Sequence, residues 1–163
     1  MNLLYDRLFN SRDNNNVFIK YTEDKEPLTY QRFLLEVKTT ARYLQKLGLK
    51  CDDRLVLQIR KSHHALTIYG ACVQLGIIFI PLNTAYTYSE VKYFLKDSEC
   101  KIFICQPDME KEIIKNEDKF SFRIKTIVND YEGSFFENMD QLTPLEFIEE
   151  REEKDIGAIL YTS

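Results

Sequence analysis

The chain has 163 residues and a mass of 19.4 kDa, enough for one domain whose folding removes about 70% of the unfolded surface from water. Hydrophobic residues make up 44% and charged residues 29%, a balance that excludes disorder over the whole chain. The 22 Lys+Arg against 26 Asp+Glu give a net charge of −4, which argues against a nucleic-acid partner, since such a protein needs a clustered basic face.

Leu4, Leu8 and the Tyr5/Phe9 pair predict a short amphipathic helix, followed by a polar loop from Asn10 to Asn16. Val17 to Tyr21 alternates as a short strand, and Glu23 to Pro27 is a charged turn. Phe33, Leu34, Val37, Ala41, Leu44 and Leu47 recur at helical spacing, with Gly48 as the stop signal. Leu55 to Ile59 is a nearly continuous apolar run, as expected of a strand covered on both faces of a parallel sheet. Ser62 is placed to cap the next helix, which is apolar on most sides and reaches Leu75 before Gly76. Ile77 to Ile80 predicts a second buried strand closed by Pro81.

Thr87 and Glu90 form a capping-box pair ahead of a helix with Val91, Phe94 and Leu95 on its apolar stripe. Lys101 to Cys105 predicts a strand stopped by Pro107. A charged helix follows over 108–119 with Met109, Ile113 and Ile114 inward, then a strand from Phe122 to Val128. Thr143-Pro144-Leu145-Glu146 reads as a second capping box, and Glu146 to Asp155 as a solvated helix face plus turn. Ile156 to Tyr161 has a buried-strand pattern. Alternating strands and helices of this kind specify an α/β fold, a mainly parallel sheet flanked by helices.

The longest apolar stretch, Leu75 to Leu82, falls far short of the ~20 residues of a membrane helix. Met1 to Arg7 carries no basic leader before an apolar run. The expected compartment is therefore the cytoplasm, with no membrane partner. Cys51, Cys72, Cys100 and Cys105 lack the close-spaced pairing of a zinc site, and are expected to be buried thiols rather than disulfides or metal ligands. His63 and His64 sit side by side on a helix, so their Cα–Cβ bonds diverge by about 100°. No carboxylate lies one turn away in sequence, and the pair is read as a polar helix start. Lys61 reads as a solvated surface charge, and Tyr86 and Tyr88 as packed rings with wet hydroxyls. Asn83 and Thr84 follow a buried strand, a ligand-facing position in such folds. Local turn chemistry accounts for them as well and is the preferred reading.

Four segments resemble the core motifs of the adenylate-forming superfamily, in order and at matching spacing. Leu28-Thr29-Tyr30-Gln31-Arg32-Phe33 resembles the first motif, and Cys72 to Asn83 the second. Asn83-Thr84-Ala85-Tyr86-Thr87, running into Glu90, resembles the form found in malonyl-CoA synthetases. Ile156 to Ser163 resembles the opening of the phosphate-binding loop. The resemblance implies that residues 1–163 are the first part of a large N-terminal AMP-binding domain, interrupted at that loop. It further implies an ATP-dependent acyl-CoA synthetase that uses ATP, Mg²⁺ and CoA, with malonate as a candidate substrate. Thr162 and Ser163 are then the start of the phosphate site, with no catalytic or metal-binding residue carried over. Most groups that offset charge in adenylation lie beyond this segment in the family. The 163 residues alone are therefore expected to bind none of these cofactors and to be inactive. They would act with a second polypeptide carrying the remainder of the enzyme, or persist as a non-catalytic remnant or interaction module.

Overall fold

Four strands, β3 (Arg54–Gln58), β4 (Ile78–Pro81), β5 (Ile102–Cys105) and β6 (Arg123–Thr126), make an all-parallel sheet in the order β4-β3-β5-β6. They are seen in a computed structural model that describes residues 1–10, 15–22, 25–117 and 119–161. Leu55 pairs with both Phe79 and Ile102, which fixes the register of the centre. The unbroken apolar runs occupy the interior of the sheet, where both faces are covered: Leu55, Val56, Leu57 and all of β5 are buried. Arg-Ile-Lys-Thr of β6, with its alternating polarity, takes an edge.

The period of two along each strand divides the sheet into two cores. Leu55, Leu57, Phe79, Ile102 and Ile104 pack with Ala41, Leu44, Ile68 and Cys72 of α2 (Tyr30–Lys46) and α3 (His63–Leu75). Val56, Ile78, Ile80, Phe103 and Cys105 pack with Val91 and Leu95 of α4 (Tyr88–Ser98) and Ile113 of α5 (Pro107–Asn116). The helix α2 ends as its sequence predicts. Gly48 has φ +87, its N–H reaches Gln45 O at 2.9 Å, and Leu49 N–H reaches Leu44 O at 3.2 Å, the paired bonds of a Schellman stop. Gly70 lets α3 lie close to α2, since a Cβ there would stand 2.8 Å from Val37 Cγ2.

At the amino terminus, α1 (Leu3–Tyr5) runs into a wider π turn over Asp6–Asn10. Its buried stripe is Tyr5 and Phe9, whereas Leu4 and Leu8 face solvent. Phe18 of β1 (Val17–Ile19), which pairs antiparallel with β2 (Leu28–Thr29), stacks on Phe33 at 4.0 Å and closes a third cluster with Tyr5 and Phe9. Residues 11–14 of the loop predicted from Asn10 to Asn16, and 23–24 of the turn predicted from Glu23 to Pro27, lie outside the described residues.

Several local expectations are corrected. Ser62 makes no side-chain cap to α3; its Oγ is buried without a partner among the described residues, and Ala65 N–H donates to Ser62 O instead. Pro107 opens α5 at the first helical position, where its missing N–H costs nothing. Ile114 is exposed, and Ile113 alone of α5 is fully inside. Residues 143–150 form no helix. Their peptide groups are taken by other elements: Leu145 N–H by Lys38 O, Leu145 O and Phe147 O by the Gln74 amide, and Glu149 N–H by Gln74 O. This strap is closed by Asn2, whose amide donates to Val73 O and Glu149 O, and by Arg151, which meets Cys51 Sγ at 2.6 Å and Asp52 at 2.9 Å. Residues 156–161 form no full strand, and Ile156 and Leu160 are exposed. A single parallel bridge, Phe79 to Ala158, docks this segment on the free edge of β4. No helix among the described residues is long and apolar enough to cross a membrane.

Candidate functional site

The carboxyl ends of the parallel strands are where an open α/β sheet gathers ligands. Gln58, the last residue of β3, is the polar end of an apolar run and is buried. Its Nε2 donates to Asn83 O at 2.9 Å and to Tyr86 O at 3.3 Å, so β3 holds the loop that follows β4. Within that loop Asn83 Oδ1 accepts from Ala85 N–H at 2.9 Å. Thr87 donates its N–H and its hydroxyl to Glu90 Oε2, both at 2.7 Å, completing the capping box of α4. These two bonds hold the Glu90 carboxyl below its ordinary range. Asn83 and Thr84 remain exposed at the loop's rim. The sequence pointed to the loop and to its turn chemistry but missed Gln58; the available signal was an amide at the end of a strand otherwise made of Leu and Val.

The segment that resembles the phosphate-loop motif reaches the same end. Phe79 N–H donates to Gly157 O at 3.1 Å and Ile159 N–H to Phe79 O at 3.0 Å. The direction is parallel to β4, so residues after Ala158 advance toward its carboxyl end. There the Tyr161 ring lies 4.4 Å from Phe94, which also touches Tyr86 at 5.1 Å. The Tyr161 hydroxyl donates to Asp97 Oδ2 at 2.7 Å. Burial, with the Asp97 carboxylate adding to it, pushes this phenol up to about 12. One α4 ring thus joins the loop after β4 to the approach of the phosphate segment. Thr162 and Ser163 lie outside the described residues.

A cavity of about 440 Å³ opens beside the strand-order reversal between β3 and β5, lined by Arg60, Lys61, His64, Gln106 and the 127–132 turn. Lys61 is solvated there, as its sequence context predicts. The turn returns sharply because Gly133 has φ +120 and approaches the Thr126 carbonyl, where any Cβ would collide. A larger cavity of about 850 Å³ sits at the opposite, amino end of the sheet, between Arg54, Tyr88, Glu117 and Phe122. Tyr88 donates its hydroxyl to Glu117 at 2.5 Å, so it is partnered by a carboxylate rather than by water alone.

Cys72, Cys100 and Cys105 are buried free thiols and Cys51 is a half-buried one. Burial pushes Cys100 up to about 11 and Cys105 to about 12. His63 and His64 are both buried, and their rings lie 3.9 Å apart despite the diverging Cα–Cβ bonds. A carboxylate does reach them, from the neighbouring helix rather than from their own: Glu36 Oε2 is 3.5 Å from His63 Nε2. Burial, opposed by Glu36, holds His63 below its ordinary value, and burial with the neighbouring His63 ring lowers His64 to about 4.

Residues 8–163 match the family model described as AMP-binding enzyme. The apo MatB structure from Rhodopseudomonas palustris superposes with a TM-score of 0.90 at 32% identity, over 99% of this chain and 32% of that one. The L-proline--[L-prolyl-carrier protein] ligase of Pseudomonas fluorescens is 21% identical over all of this chain and 32% of its own length. The 2-succinylbenzoate--CoA ligase of Oceanobacillus iheyensis is 32% identical over 82 residues, half of this chain and 17% of its own. The chain therefore spans at most about a third of the length of these relatives. The order of motifs, the parallel sheet and the docking of residues 157–159 agree with that match, and the chain belongs to the AMP-binding, adenylate-forming enzyme family.

Proposed function

We propose that the chain supplies the amino-terminal portion of an ATP-dependent acyl-CoA ligase acting on malonate or a similarly small carboxylate, in the cytoplasm. The observation that carries this reading is the parallel docking of residues 157–159 on β4, which runs the segment up to Tyr161 along the strand toward its carboxyl end. The malonate assignment is supported by the Asn83–Thr87 loop and by the 32% identity to MatB.

In such a ligase the substrate carboxylate attacks the α-phosphorus of ATP, releasing pyrophosphate and forming an acyl-adenylate. The CoA thiol then displaces AMP. The first step brings two anions together, and Mg²⁺ and oriented donors offset the developing charge. This chain's share is the approach to the phosphate site: Phe94 and Asp97 fix Tyr161, and Gln58 fixes the adjacent loop. Thr162 and Ser163 bring hydroxyl donors to phosphate. Two hydroxyls without a nest of backbone amides form no anion cradle, so residues 1–163 alone release no pyrophosphate.

The test incubates the purified 163-residue chain with ATP, Mg²⁺, CoA and malonate, alone and with a polypeptide carrying the remaining two-thirds of a MatB-like ligase. Pyrophosphate release only in the mixture is the expected result, and turnover by the 163 residues alone overturns it. A non-catalytic assembly role is the second reading. It is favoured by the outward-facing N–H and C=O of Ala158, which a second polypeptide could pair. Complex formation without turnover would select it.

A further inference from the structure

We propose that Glu36, His63 and His64 form a binding site for a divalent transition-metal ion of the zinc class, with one carboxylate oxygen and one nitrogen of each imidazole as protein ligands. The site is separate from the carboxyl-end loops, and the argument does not depend on the ligase reading. One ligand atom from each of the three residues lies within 4.8 Å of the other two. Glu36 comes from α2 and the histidines from the first turn of α3, so the close packing of these helices assembles the trio.

The polar bonds around the site leave its lone pairs directed inward. Glu36 Oε1 is fully used: Tyr131 donates its hydroxyl to it at 2.6 Å, and Arg32 Nε is 3.5 Å away. Glu36 Oε2 is buried with no hydrogen-bond partner among the described residues and lies 3.5 Å from His63 Nε2. His64, only 3% exposed, has a buried Nε2 that also lacks a partner among the described residues. A buried polar atom without a compensating bond is costly, and these two belong to residues whose ligand atoms lie within 4.8 Å of each other.

His63 Nδ1 is 3.2 Å from the Tyr21 hydroxyl, an outer contact able to hold that nitrogen protonated; Nε2 then has its lone pair for the ion, with the Tyr131 hydroxyl at a long 3.4 Å as the contact that the ion would displace. In a tetrahedral zinc site with bonds of about 2.0–2.1 Å, neighbouring ligand atoms stand about 3.4 Å apart. The His63–Glu36 separation, 3.5 Å, is already close to that value, and the ligand nitrogen of His64 lies within 4.8 Å of both. The local cations are neutralised, Lys25 by its ion pair with Asp130 and Arg32 by Glu36 Oε1. A cavity of about 380 Å³ lined by Glu36, His64 and Tyr131 gives a path of entry. Three protein ligands and such an opening leave a fourth position for water or another small donor.

The test uses the full chain stripped with EDTA and titrated with Zn²⁺ by calorimetry and with Co²⁺ by visible absorption. One ion per chain is expected, with Co²⁺ bands of a four- or five-coordinate site. Glu36→Gln and His64→Gln should each weaken binding by at least about 100-fold, while Cys51→Ser leaves it unchanged. The chain holds only two histidines, so their ring signals in the unsubstituted protein report directly whether Zn²⁺ sits between them. Absence of saturable binding overturns the proposal. So do His63 and His64 signals that ignore bound zinc, and so does a folded His64→Gln variant of unchanged affinity.

Discussion

The side-chain amide of Gln74, completely buried on α3, donates to the backbone carbonyl of Leu145 at 2.7 Å. The same nitrogen reaches Phe147 O at 2.8 Å, and the Gln74 backbone carbonyl accepts from Glu149 N–H. One helix residue thus replaces the hydrogen bonds that residues 143–150 would otherwise have made within a helix. Gln74→Leu fits the apolar surroundings but strands two carbonyls, and should cost about 2–3 kcal/mol. Urea denaturation checks the magnitude. Hydrogen exchange should localise the loss to residues 145–149; protection unchanged there would contradict the role.

The approach of α2 to α3 at Gly70 makes a second prediction. Gly70→Ala would press a methyl against Val37 Cγ2, and overpacking of this kind costs about 1–3 kcal/mol. Val37→Ala alone also destabilises, by leaving a cavity. The double variant should be more stable than the sum of the two losses, as expected for residues in contact. Strict additivity in chemical denaturation would show that the contact is not what limits Gly70.

Thiol chemistry should be uneven. Burial raises the pKa of all four thiols, but Cys72, Cys100 and Cys105 are fully buried whereas Cys51 is half-buried and within reach of a reagent. In the native protein at pH 8 iodoacetamide should label Cys51 alone, and in denaturant all four. Mass spectrometry of the peptides reads this directly, and rapid native labelling of Cys72 would contradict the burial.

The capping box of α4 gives a pH dependence. The Glu90 carboxyl is held below its ordinary value by the Thr87 hydroxyl and N–H. A group depressed in the folded state stabilises above its unfolded pKa, here about 4.5, and that contribution is lost as pH falls through the folded value. The stability difference between the parent and Glu90→Gln should therefore be present at pH 6 and shrink below pH 4. A difference constant across that range would exclude the carboxylate as its source.

The strands and the two helical layers were legible because burial on both faces demands unbroken apolar runs, as in Leu55–Leu57 and Ile102–Cys105. What sequence could not show depended on partners distant along the chain. Thr143 to Glu146 has every local feature of a helix start, and its hydrogen bonds are taken by Gln74 and Lys38. Ile156 to Tyr161 has the pattern of a buried strand, yet only one of its edges is occupied, so Ile156 and Leu160 stay exposed. His63 and His64 show no local carboxylate, because Glu36 arrives from another helix. At the candidate site the Asn83–Thr87 loop was found by its motif, whereas Gln58 and Phe94, which hold it in place, carry no motif of their own.

The two borders of the central sheet are chemically unlike. On one side β6 sets Arg123 and Lys125 along its margin, and the Arg123 guanidinium donates back to Leu47 O. The outward peptide groups of Thr126 are taken by the turn that follows: its N–H donates to Ser134 Oγ at 2.9 Å and its carbonyl accepts from Phe135 N–H at 3.1 Å, which leaves another strand no place to join there. On the other, Phe79 spends both its peptide groups on residues 157 and 159, which turns those of Ala158 away from the sheet. Lateral growth is therefore vectorial: this architecture can be lengthened past Ala158 and is closed to extension past Thr126.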